Sequence, residues 1–162
     1  MIVVSNTSPL TNLAAINQFD LLRILYSRIH IAEGVWRELN AMGKPWPGSH
    51  EVASSEWVCR HTVRNQFLLR ALRRDIDRGE AESIVLALEL GANMILLDEK
   101  EGRNVAQRMD LKPVGVIGVL LEAQKKGVLR CVRPHLDSLR QIAGFRIAEP
   151  LYIHALNLAG EG

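Results

Sequence analysis

Short apolar runs alternate with amphipathic stretches along this chain, and the two periods lay out a succession of strands and helices. Ile2–Ser5 is a β-branched run closed by polar residues, the pattern of a buried strand. Ser8 followed by Pro9 has the form of an N-cap with proline at the first helical position. The helix it opens carries Leu10, Leu13 and Ala14 on one face, and a second helix carries Phe19, Leu22 and Leu25. Arg28–Ala32 alternates as a strand does, and Val35–Leu39 belongs to a helix that stops before the turn-rich segment Gly43–Ser49. Trp57–Val63 has strand composition, and a helix with Leu68, Leu69, Leu72 and Ile76 follows. From Glu80 the apolar residues Ala81, Ile84, Val85 and Leu88 keep the i, i+3, i+4, i+7 spacing, and Gly91 is placed to end that helix. Met94–Leu97 is the next strand and Glu101–Met109 the next helix; Pro113–Val116 is a strand before a helix reaching Lys126. The tail is mostly helical, with Phe145–Ile147 as a short extended piece.

Strands that alternate with helices predict an α/β fold, a single-domain α/β/α sandwich with a central, mainly parallel sheet over residues 1–162. Composition agrees. The chain of 162 residues is long enough to bury most of its apolar surface, and its 48% hydrophobic and 23% charged residues are ordinary for a globular protein. A net charge of +2 does not by itself indicate a nucleic-acid partner. Cys59 and Cys131 stand alone without a CxxC, which argues against a disulfide framework or a zinc site. The start lacks a basic signal-peptide region, and no apolar run is long enough to span a bilayer, so the expected location is the cytoplasm.

The candidate chemistry lies where elements meet loops. In a parallel sheet the ends of the first strand and of Met94–Leu97 open on one edge, which puts Asn6 and Asp98 on the same side. Glu38 lies late in its helix and Glu80 in the first turn of its own. Three acids and an amide carbonyl are the oxygen donors that a hard cation such as Mg²⁺ or Mn²⁺ takes. Each also has a plain structural use: Asn6 in an Asx-turn, Glu38 paired with an arginine, Glu80 on the helix dipole, Asp98 capping the helix that follows it. Helical geometry separates Glu80, which flanks the apolar face, from Glu82, which lies nearer the opposite side with Glu89.

Several stretches resemble a known family. VSNTSPL at the start, RGEAESIVLALELGA, LLDEKEGRNVA, GVIGVLLEAQKKG and RPHLDSLR are together similar to a branch of the PIN-domain superfamily. The resemblance implies a small α/β sandwich and a Mg²⁺- or Mn²⁺-dependent ribonuclease of the VapC-toxin type. The family's four acidic positions fall on Asn6, Glu38, Glu80 and Asp98, as catalytic and metal-holding residues. Thr7, Ser8 and Glu101 would orient the carboxylates by hydrogen bonds. The expected partners are an RNA substrate, an antitoxin protein and a second copy of the chain in a homodimer, with no membrane. Asn6 departs from the pattern, which has aspartate there. An amide oxygen ligates a hard cation without contributing charge, so a PIN-like module that binds RNA or a protein without cleavage is the alternative.

Arg60, His61, Arg64, Arg70, Arg73, Arg74 and Arg78 cluster in one stretch. Arg70, Arg73, Arg74 and Arg78 are the candidate RNA-binding residues, against a plain solvated helix face as the other reading. Gly115 and Gly118 follow a strand but lack the GxGxxG pattern, so close packing is their expected role. The five histidines show no paired-ligand spacing along the chain. The acidic pair that a receiver-like phosphoacceptor domain needs after its first strand is absent.

Overall fold

Every β-branched run is followed by at least one helix that returns the chain to the opposite end of the sheet, and that connection makes the strands pair in parallel. A computed structural model describes residues 1–40 and 46–162. The strands are β1 (Val3–Ser5), β2 (Ile29–Ala32), β3 (Val58–His61), β4 (Met94–Leu96) and β5 (Pro113–Val114). They form one five-stranded sheet in the order β3-β2-β1-β4-β5, all parallel. The central strand β1 sets Val3, Val4 and Ser5 opposite Met94, Ile95 and Leu96 of β4.

Side-chain alternation splits the core into two layers. Val3, Ile29, Ile31 and Leu96 face α1 (Thr7–Ala15), α2 (Leu21–Tyr26), α3 (Glu33–Leu39), α4 (Ser49–Ser54), α8 (Val116–Lys125), α9 (Arg133–Gln141) and α10 (Glu149–Leu158). Val4, Ala32, Ile95 and Leu97 face α5 (Gln66–Leu72), α6 (Arg78–Leu90) and α7 (Lys100–Arg108). The expected α/β/α sandwich with its parallel sheet is therefore what the chain forms. No helix among the described residues is long and apolar enough to cross a membrane.

The differences in detail have local causes. Asn6 rather than Ser8 is the N-cap of α1, and Pro9 is its third residue, where its missing N–H is one that the helix leaves unbonded anyway. Ser49–Ser54 is helical although the segment before it is rich in turn formers, and Gly43–Pro45 of that segment lies outside the described residues. α5 stops at Leu72, and Ile76 reaches the core from the following turn. Val116 opens α8 instead of closing β5. Phe145–Ile147 forms no strand.

α6 is the pillar of its layer. Gly79–Ala87 are buried on every side because α3, α5, α7 and the sheet all pack against this helix. Only its last turn emerges, which is why Leu88, expected on the apolar face, is 36% exposed. Gly91 ends the helix in the left-handed conformation at φ 62°. Ile84 is fully buried at the centre of this packing. Ile84→Ala should cost about 2–5 kcal/mol, read as a lower urea midpoint at unchanged m-value; an unchanged midpoint would contradict this placement of α6.

Candidate functional site

The strand order reverses direction between β1 and β4, and in such sheets the crevice at the strands' C-terminal ends is where ligands are held. The Asn6 backbone N–H donates to Leu96 O at 2.9 Å, which carries the β1–β4 pairing one residue past β1. Asn6 is therefore fixed where both strands end. The first turn of α1 then hands one hydroxyl to each of two acids. Thr7 Oγ1 donates to Glu38 Oε2 at 2.7 Å, and Ser8 Oγ donates to Asp98 Oδ2 at 3.3 Å. Asn12 Nδ2 donates to Ser8 Oγ at 3.0 Å and holds that hydroxyl in place.

Asp98 Oδ1 accepts the Val116 N–H at 2.8 Å, so this acid serves the start of α8 rather than of α7, the helix that follows it. Burial raises the Asp98 pKa, against the opposing pull of the Val116 N–H, the Ser8 hydroxyl and the Arg103 guanidinium. Burial likewise raises that of Glu38; the Thr7 hydrogen bond opposes this, and the charges of Asp77 and Glu82 add to it.

Of the three expected carboxylate residues Glu38, Glu80 and Asp98, Glu80 is the least exposed to solvent. It is 5% exposed, and its Oε2 has no hydrogen-bond partner among the described residues. Burial and the neighbouring Asp77 carboxylate push its pKa up to about 8, with the charge of Glu99 adding to the effect. Asp77 is the N-cap of α6, its Oδ1 accepting the Glu80 N–H at 2.9 Å. Asp77 and Glu99 line, with Asn6, Thr7, Glu38 and Trp46, a cleft of about 450 Å³. Sequence reasoning did not single out Asp77, although an aspartate three residues before a glutamate, ahead of an apolar run, marks a helix N-terminus.

Four carboxylates in this region each press against a glycine of another element. A Cβ on Gly79 would collide with the Glu38 carboxylate, and one on Gly34 with that of Glu82. One on Gly102 would meet Glu80 Oε2, and one on Gly115 would lie 2.7 Å from Asp98 Oδ1. Gly115 thus makes room for Asp98, and Gly118 for Val114 at 2.8 Å. Glu82 departs from expectation. Because α6 is packed all round, the side of the helix expected to be solvated is buried, and Glu82 is 3% exposed with Arg78 Nε at 3.0 Å.

The remaining expected residues lie apart from this cleft. Glu101 is exposed in the first turn of α7 and makes no hydrogen bond through its side chain among the described residues. Arg70, Arg73, Arg74 and Arg78 are all exposed, Arg73 and Arg74 just beyond the end of α5. His30 and His61, distant in sequence, meet across β2 and β3 with Nδ1 and Nε2 2.8 Å apart. Burial lowers the pKa of His30, with the His61 and Arg28 charges adding to it.

Among the described residues no three His, Cys, Asp or Glu side chains converge at metal-holding distance. A hard divalent ion that keeps most of its waters needs only one or two carboxylates. The donors fit such an ion on one specific observation. Among the described residues the buried side-chain atoms without a hydrogen-bond partner are Asn6 Oδ1 and Glu80 Oε2, both oxygens, both at residues expected to hold the metal.

The all-parallel five-stranded α/β sandwich fits the nuclease-type fold of PIN domains. A family model described as DUF3368, PIN domain, matches residues 2–161, and the chain belongs to that family. No curated protein and no solved structure matches it significantly.

The buried Glu80 sets a pH dependence. Its pKa rises on folding, so between the ordinary 4.5 and about 8 the native state keeps a proton that the unfolded chain has released. Stability measured in a chelator should therefore fall as pH rises through that window, by at most ~1.4 kcal/mol per pH unit. Glu80→Gln should remove this slope; a stability difference between wild type and variant that is independent of pH would contradict the assignment.

Proposed function

We propose that the protein hydrolyses phosphodiester bonds of RNA with the help of Mg²⁺ or Mn²⁺ held at Asn6, Glu38, Glu80 and Asp98. The observation that carries the reading is the pair of buried oxygens without a hydrogen-bond partner among the described residues, Asn6 Oδ1 and Glu80 Oε2, at the sheet's C-terminal end. An unpaired carboxylate in that position is costly until a cation or a proton neutralises it. The raised pKa of Glu80 is the proton-bound side of the same competition.

A bound divalent ion supplies stabilisation of phosphoryl charge and a more acidic water. The chain's own groups do the positioning. Thr7 holds the Glu38 carboxylate and Ser8 that of Asp98, so both present one fixed face. Asp77 and Glu99 add negative charge to the cleft wall, which draws cations. On this reading the protein is the toxin of a toxin–antitoxin pair acting in the cytoplasm, with a protein antitoxin and a second copy of the chain as partners.

Cleavage of single-stranded RNA in Mn²⁺ should be abolished by EDTA, and Asp98→Asn and Glu80→Gln should be as inactive as the chelated protein. Retained cleavage in EDTA would overturn the metal-dependent mechanism. Gly79→Ala should leave the fold intact but displace Glu38, weakening Mn²⁺ binding about 10-fold or more by titration calorimetry. Unchanged affinity would remove Glu38 from the metal set.

The second reading, a module that binds without cutting, is favoured by the amide at position 6, which brings no charge to the site. Asn6→Asp separates the two. Cleavage that appears only in the variant, together with tighter Mn²⁺ binding, supports the non-cutting module, whereas cleavage by the wild type supports the nuclease.

A further inference from the structure

The contact between α3 and α6 has two sides of opposite charge. On one side Glu38 lies against Gly79 and shares the acidic cleft with Asp77. On the other, Glu82 lies against Gly34, beside a second pocket of about 420 Å³ that Arg37, Arg60 and Arg78 line together with Glu33 and Glu82. Arg37 immediately precedes Glu38, and Arg78 immediately follows Asp77. The same two helices therefore carry the cleft on one side of their contact and the arginines on the other.

Two of the three guanidinium groups are fixed from behind. Arg78 Nε lies 3.0 Å from Glu82 Oε2, whose side chain is only 4% exposed. Arg60 Nε lies 3.3 Å from Glu33 Oε2, and its guanidinium carbon sits 4.4 Å from the Trp36 ring centroid. Arginines pinned in this way lose little conformational entropy when an anion arrives. Arg37 is exposed and makes no ion pair among the described residues. The three arginines against Glu33 and Glu82 leave one positive charge in excess, which matches the single negative charge of a phosphodiester. In the acidic cleft on the other side of the contact, Trp46 is 53% exposed. An open aromatic face stacks on an unpaired base, whereas a duplex keeps its base faces covered.

We propose that the pocket of Arg37, Arg60 and Arg78 holds a backbone phosphodiester of a single-stranded RNA that lies across the α3–α6 contact, with a base stacked on Trp46. This rests on the nuclease reading for its substrate class. It assigns that substrate a path the acids alone do not define, and Arg37 and Arg60 join Arg78 as the contacting residues.

Binding of a short fluorescein-labelled single-stranded oligoribonucleotide, followed by anisotropy in EDTA over a series of KCl concentrations, tests it. The double variant Arg37→Gln/Arg60→Gln should make the slope of log K against log salt shallower by about 0.7, the value for one phosphate of a single strand. Arg130→Gln, an exposed arginine between α8 and α9, should leave the slope unchanged. Trp46→Ala should weaken binding to the single strand and leave binding to the matching duplex unaltered. An unchanged slope in the double variant would overturn the pocket, even in a protein that cuts RNA. A slope that falls as expected in a protein that cuts nothing in Mn²⁺ would support the pocket and overturn the nuclease reading. A glutamate-rich peptide that competes as well as RNA would overturn the assignment to a phosphodiester.

Discussion

Withdrawing carboxylates from water around one helix is the constraint on which the rest of this structure depends. Glu80 and Glu82 sit within the first turns of α6, each against a glycine of a neighbouring helix, and Glu38 sits at the rim against Gly79 of α6 itself. Burying a carboxylate is unfavourable unless hydrogen bonds or a cation compensate it. The compensation here is distributed and visible. Arg78 serves Glu82, a threonine hydroxyl serves Glu38, and a serine hydroxyl and a helix-start N–H serve Asp98. Among the described residues Glu80 is the exception, with Oε2 left over.

The glycines explain how four elements come close enough to share so much charge. Gly34 and Glu38 on α3 face Gly79 and Glu82 on α6, so each helix offers one gap and one acid to the other. Gly102 at the start of α7 and Gly115 before α8 repeat the arrangement for Glu80 and Asp98. A methyl group at any of these positions would push a carboxylate aside. The strand order contributes the rest, since it places Asn6 and the Asp98 loop side by side at the sheet's reversal. The α3–α6 contact also divides an acidic cleft from a basic pocket, so a nucleic-acid strand crossing it would meet both signs of charge in sequence.

Much of the fold was legible along the chain because its elements obey clean periods. Short apolar or alternating runs marked all five strands, to within a residue or two at each end. Boundaries slipped where tertiary packing overruled local pattern, as at Ser49–Ser54, helical after a turn-rich stretch, and at Ile76, buried from a turn. The site was legible in part. Thr7 and Ser8 hold the Glu38 and Asp98 carboxylates, and Asn6 and Glu38 line one cleft. Glu101 does not join them, and Asp77 and Glu99 line the cleft in its stead.

By itself the sequence determined the alternation of strands and helices, hence a parallel sheet, and the kinds of donor atom available at its edge. Those follow from side-chain period and residue chemistry, which are local properties. Only the tertiary structure decided which side of α6 is dry, because a helix packed all round no longer obeys a one-face rule, and Glu82 was buried as a result. It also decided that His30 meets His61, that Glu80 faces a neighbouring carboxylate rather than a cation, and that Arg37 shares a pocket with Arg60. Each is a contact between residues on different elements, fixed by strand order and glycine clearance, and no pattern along the chain encodes such a meeting.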